Sequence, residues 1–197
     1  KPESEFSLRD MADDVLAVCR DEGIARAVFA GCSVGSGIAM LIALDQPEIV
    51  DALILVGGNS RGGGHVAGRI AGYLNEMPGY LAKHICELVS PGFPTTGLGR
   101  WLLGLFIERA PLLSGKCIAQ IFRAREDCDM SSRLPGLKKP ALVINGEHDN
   151  SLKAGRETAG LIPGAHHALI PATGHACCIE DPDAFDRVVL PFLAKVR

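Results

Sequence analysis

The sequence has no surplus of basic charge: 20 Lys and Arg stand against 23 Asp and Glu, for a formal net charge of −3. That balance removes the electrostatic case for binding nucleic acid or an anionic membrane surface. No apolar run approaches the length of a membrane span, since Leu53–Val56 and Trp101–Ile107 are far too short. The polar stretch Lys1–Asp10 lacks the apolar core of a signal peptide. The 7 cysteines show no C-x-x-C spacing. An odd, scattered set reads as free thiols in a reducing compartment, so a cytoplasmic setting is expected. Cys177–Cys178, close to His175, fits no common zinc spacing and reads as small apolar residues, so neither metal nor other cofactor is expected. With 47% hydrophobic and 22% charged residues, the chain is ordinary for a soluble globular domain and far from disorder. Its length suits one core with an inserted subdomain.

What is present centres on one stretch. The apolar run Ala27-Val28-Phe29-Ala30 stops at Gly31-Cys32-Ser33-Val34-Gly35, and the apolar segment Ile38–Leu44 follows. This is G-x-S-x-G in a strand–turn–helix setting. A serine hydroxyl is a weak nucleophile, so it must project where a base and a substrate both reach it. The strained turn that projects it demands small neighbours, which assigns that role to Gly31 and Gly35. The competing reading is a glycine-rich turn binding an anion at a helix N-terminus. Neither phosphate-loop pattern fits, because no Lys follows and Gly31, Gly35 and Gly37 do not form G-x-G-x-x-G.

Around this stretch the order of elements is alternating. The pattern predicts a helix over Ser7–Arg20 with Ser7 as N-cap, a buried strand at Ala52–Val56, and a glycine-rich loop over Gly57–Gly64. From His65 to Leu134 the sequence is helical in pattern and broken by Pro78, Pro91, Pro94 and Pro111, with no strand-like alternation. Strand character returns at Ala141–Ile144 and Ala168–Ile170, separated by a helix over Leu152–Leu161, and a last helix covers Asp183–Val196. Strands alternating with helices predict an α/β fold with a parallel sheet. The division is core at 1–60, helical insertion at 61–135 and core again at 136–197.

In such a sheet the loops after the strands open on one edge. Two of them carry partners for a serine: Gly146-Glu147-His148-Asp149 and Thr173-Gly174-His175. The chain order Ser33, Asp149, His175 is the order expected when the nucleophile sits on an elbow. Asp149 also makes good turn chemistry before Asn150, and Glu147 is the second candidate acid. His148 reads as a solvated loop residue, His166 and His167 as surface or packing residues, and Cys32 as a small buried neighbour. His65 and His84 lie in the insertion, within possible reach of substrate.

Taken together, these three motifs resemble the α/β-hydrolase-fold serine hydrolases of the capped esterase, lactonase and meta-cleavage-product hydrolase type. The resemblance covers nearly the whole chain. It implies Ser33 as nucleophile, His175 as general base and then acid, Asp149 as the group that orients the imidazole, and the Val34 N–H as an oxyanion donor, a contribution of about 3–4 kcal/mol in general. It implies a helical cap over an apolar pocket, with Trp101 and Phe106 as substrate-binding residues, and a small-molecule ester, lactone or activated C–C substrate. Dehalogenase and epoxide-hydrolase relatives carry Asp where Ser33 stands. Family members also have strands ahead of the elbow that this sequence does not show before Ser7, so the fold is expected to be N-terminally truncated. An exposed edge at the elbow strand then predicts a homo-oligomer or a complementing N-terminal segment. The non-enzymatic alternative is an inactive fragment that serves as a binding or interaction module.

Overall fold

A computed structural model describes residues 4–62 and 66–196. Its centre is a 4-stranded parallel sheet in the order β1-β2-β3-β4, formed by Ala27–Cys32, Val50–Val56, Ala141–Gly146 and His166–Ile170. Parallel strands need helical crossovers, and these cover both faces of the sheet. Along β2, Leu53 and Leu55 join Leu16, Met40 and Ile42 in one core. Ala52, Ile54 and Val56, one residue out of phase, join Ile170, Val189 and Phe192 in the other. The period-2 alternation of a strand thus serves two cores, which explains why β2 is apolar without a break from Ala52 to Val56. Among the described residues, β1 pairs with β2 alone and is an edge strand.

The first core is closed by α1 (Leu8–Asp21) and α2 (Val34–Asp45). Ser7 caps α1 as expected, in a reciprocal capping box with Asp10. After β2 come four helices, α3 (Val66–Asn75), α4 (Gly79–Glu87), α5 (Gly97–Arg109) and α6 (Gly115–Glu126), with no strand among the described residues between β2 and β3. The chain then re-enters the sheet through β3, α7 (Leu152–Leu161) and β4, passes a short helix α8 (Cys177–Glu180), and ends in α9 (Pro182–Lys195). The short α8 was not foreseen; four residues are too few for a periodic pattern. No helix among the described residues is long and apolar enough to cross a membrane.

The helical segment between β2 and β3 has a small core of its own around Tyr73, Leu81, Ala110 and Ala119. His84 belongs to it: the residue is buried, its Nδ1 lies 2.6 Å from the Tyr73 hydroxyl, and rings of Tyr73, Tyr80 and Phe122 surround it. Burial, with Arg69 nearby, pushes its pKa down to about 4, so it is neutral at physiological pH. His84 is therefore a packing residue. His65 lies outside the described residues. Tyr73→Phe strands the second nitrogen of a ring whose Nε2 already has no partner. It is expected to cost about 1–3 kcal/mol in chemical denaturation.

Candidate active site

Ser33 stands between β1 and α2 as the N-cap residue of α2, with φ 56 and ψ −117. A positive φ is rare outside glycine, and here it is imposed by the turn that lifts the serine from the sheet. Two contacts hold it. The Ser33 N–H donates to the Val56 carbonyl at 2.8 Å, and the buried Ser36 hydroxyl lies 2.7 Å from the Gly31 carbonyl and 3.1 Å from that of Val56. A Cβ at Gly31 would sit 2.1 Å from the Gly35 carbonyl oxygen, so position 31 accepts glycine alone. The demand on Gly35 is not observed, for a Cβ there meets nothing within 4 Å. Val34 is the first residue of α2, where backbone N–H groups have no intrahelical acceptor. Cys32 is exposed rather than buried. Its hydrogen bond with the Cys178 thiol raises its pKa and disfavours a thiolate there.

The partners come from the loops after β3 and β4, as the topology requires. Asp149 Oδ1 lies 2.9 Å from His175 Nδ1, and both residues are buried. The carboxylate is fully subscribed. Oδ1 also accepts from the Ser151 N–H and hydroxyl, each at 2.8 Å, and Oδ2 accepts from the Asn145 amide at 2.7 Å. Burial raises the Asp149 pKa, but the His175 interaction and the Ser151 and Asn145 hydrogen bonds outweigh it and hold the carboxyl at about 2. An ionised carboxylate only accepts, so His175 Nδ1 carries a proton, and the free position of the ring is Nε2. That atom is buried and has no hydrogen-bond partner.

Ser33, Val34 and His175 line one cavity of about 220 Å³, together with Gly57 and Ser151 from the core and Phe122 from α6. Ser33 and His175 thus line the same cavity. Glycine is required again at position 57: its φ is +59, and a Cβ would lie 2.4 Å from His175 Cε1. Of the other candidates, Glu147 is exposed and accepts instead from the Ala172 N–H at 2.8 Å. His148 and His166 are exposed, while His167 Nε2 bonds the Asn145 amide oxygen at 3.0 Å. The structure does not bring Trp101 or Phe106 to this cavity. Trp101 is 60% exposed on α5, and Phe106 lines a separate apolar pocket with Leu88, Leu102 and Ile179. The aromatic wall of the cavity is Phe122.

Asn145, Ser151 and Gly57 were missed by the sequence reading. Asn145 carried a usable signal, because an amide at the end of a wholly buried strand must find partners. Glu180 was also unassigned. It accepts from the N–H groups of Gly174 at 2.8 Å and Ser90 at 2.9 Å, tying the histidine loop to the helical segment.

With this geometry in view, comparison with known proteins is decisive. A model of the alpha/beta hydrolase family matches residues 2–188. The chain belongs to the alpha/beta hydrolase family. It is 27% identical to a protein of Klebsiella pneumoniae (strain 342) assigned as the carbamate hydrolase RutD, over 98% of this chain and 75% of that protein. Among solved structures, the enol-lactonase from Burkholderia xenovorans LB400 superposes with a TM-score of 0.89 at 26% identity, covering 98% of this chain and 75% of that one. Est816, described as an N-acyl homoserine lactone degrading enzyme, gives 0.81 at 28% identity, with 98% and 77% covered. The fold is thus the α/β-hydrolase fold expected from the three motifs, and the chain is a hydrolase of that family.

The depressed Asp149 pKa carries a pH dependence. A carboxyl whose folded pKa lies below its ordinary 3.8 stabilises the fold above that value, and the contribution is lost as pH falls through about 2. The stability gap between wild type and Asp149→Asn, read by urea denaturation, is expected to shrink by about 2 kcal/mol between about pH 5 and about pH 2.

Proposed function

We propose that the chain hydrolyses a small carboxylic ester, lactone or carbamate through an acyl-enzyme on Ser33, with His175 and Asp149 completing the triad. Ser33 Oγ attacks the carbonyl carbon while His175 Nε2 takes its proton. The carbonyl oxygen becomes an oxyanion, stabilised by the Val34 N–H and the positive end of α2. The imidazolium is stabilised by Asp149 and returns the proton to the leaving oxygen (or nitrogen) as the tetrahedral intermediate collapses. Water then attacks the acyl carbon, again deprotonated by Nε2, and Ser33 is released.

The observation that carries this reading is that His175, held at Nδ1 by Asp149 and with its Nε2 unpaired, lines the cavity that Ser33 also lines. His84 Nε2 is unpaired as well; what sets His175 apart is that Asp149 holds its Nδ1 and that it lines the cavity together with Ser33. Elements of α3 and α6 wall the cavity and serve as its cap, excluding water from the acyl group. The inactive-module alternative draws no support from the relatives named above, a carbamate hydrolase, an enol-lactonase and a lactone-degrading enzyme.

A fluorophosphonate probe tests the assignment. Wild type is expected to be labelled and Ser33→Ala not, with ester turnover falling roughly four orders of magnitude. Labelling that persists in Ser33→Ala, or folded wild type that takes no label, contradicts it.

A further inference from the structure

The cavity shared by Ser33 and His175 is lined by two arginines, Arg69 from α3 and Arg125 from α6, and by no carboxylate. Arg125 is 7% exposed. Its guanidinium is held by neutral acceptors only: the Cys128 carbonyl at 2.8 Å, the Asn59 side-chain oxygen at 2.6 Å, and the Asn59 carbonyl. Neither arginine takes part in an ion pair among the described residues. Arg69 is half-buried, its guanidinium carbon 5.8 Å from the centre of the Phe122 ring.

The bonds of Arg125 to Asn59 explain part of its presence, because they fasten the loop after β2 to α6. They bring it no ion pair: burial lowers its pKa and outweighs Glu126 and Asp129, which act on its charge without bonding it. Arg69 has no such fastening role, yet it lines the same cavity. A buried guanidinium without an ion pair is costly, and a neutral ester relieves none of that cost. An anion entering the cavity offsets that cost, and guanidinium forks suit the geometry of a carboxylate.

We propose that Arg69 and Arg125 form an anion subsite, and that the substrate is an ester, lactone or carbamate carrying a free carboxylate that seats there while its reacting carbonyl meets Ser33. The proposal rests on the hydrolase reading above. It makes the arginines specificity determinants and gives them no part in bond cleavage.

The test compares the nitrophenyl monoester of glutaric acid with the same ester bearing a primary carboxamide in place of the carboxylate. Wild type is expected to favour the anionic ester in kcat/KM by roughly tenfold or more, and Arg69→Gln to bring that ratio to within about threefold of unity. Arg69→Lys should retain part of the preference. Calorimetry of glutarate binding to wild type and Arg69→Gln gives a readout independent of turnover. If neither ester is cleaved, the hydrolase reading fails, while glutarate binding that weakens roughly tenfold in Arg69→Gln still upholds the subsite. A wild-type ratio at or below one, a ratio unmoved by Arg69→Gln, or absence of glutarate binding in a protein that cleaves neither ester overturns it.

Discussion

One hydrogen bond organises the site: His175 Nδ1 to Asp149 Oδ1, at 2.9 Å in a buried setting. A buried carboxylate is tolerable only when its lone pairs are used, and those of Asp149 are used by Asn145, Ser151 and His175 together. Because the carboxylate cannot donate, a proton must sit on Nδ1, and the free position is at the opposite end of the ring. Asn145 in turn is fixed from behind by His167. A run of polar side chains from the far side of β3 therefore sets which nitrogen of His175 is free. Its energetic cost is one unpaired Nε2, which the surrounding core must carry.

The sheet makes this arrangement possible. Parallel strands bring four C-terminal ends to one edge, and each contributes a part: Ser33 after β1, Gly57 after β2, Asp149 and Ser151 after β3, His175 after β4. The closeness of those ends is enforced by glycines. Gly31 admits the first turn of α2, Gly57 admits the imidazole, and Gly146 lies so near the histidine loop that a Cβ would be 2.1 Å from the Gly174 carbonyl. The helical segment supplies the remaining walls, and Glu180 binds its Ser90 to the loop that carries His175.

Much of this was legible in the sequence because it rests on local chemistry. The elbow is a contiguous pattern, the strands are apolar runs, and the Ser7 cap needs only Asp10 three positions on. The choice of Asp149 over Glu147 was not local. It depends on which carboxylate the turn after β3 folds inward, and residue spacing does not reveal that. Trp101 misled for a related reason. Apolar residues lie all around α5, and Leu98, Trp101, Phe106 and Ile107 are all substantially exposed. Hydrophobic pattern alone therefore does not tell which face of that helix meets the cavity. The two arginines were invisible for want of any sequence signature. They belong to the site only because α3 and α6 pack together above the sheet edge.

The likeness to an enol-lactonase, a lactone-degrading enzyme and an assigned carbamate hydrolase fits a scaffold whose reaction centre is fixed by the sheet and whose selectivity is set by the helices above it. Its central claim is that Ser33 and His175 act as one unit. A double-mutant cycle in kcat/KM on a nitrophenyl ester, with Ser33→Ala, His175→Ala and both together, tests that claim most directly. The account predicts that the double variant is no slower than the worse single variant, since either loss alone disables proton transfer and attack together. Losses that multiply in the double variant would mean that the two residues act independently, and would contradict it.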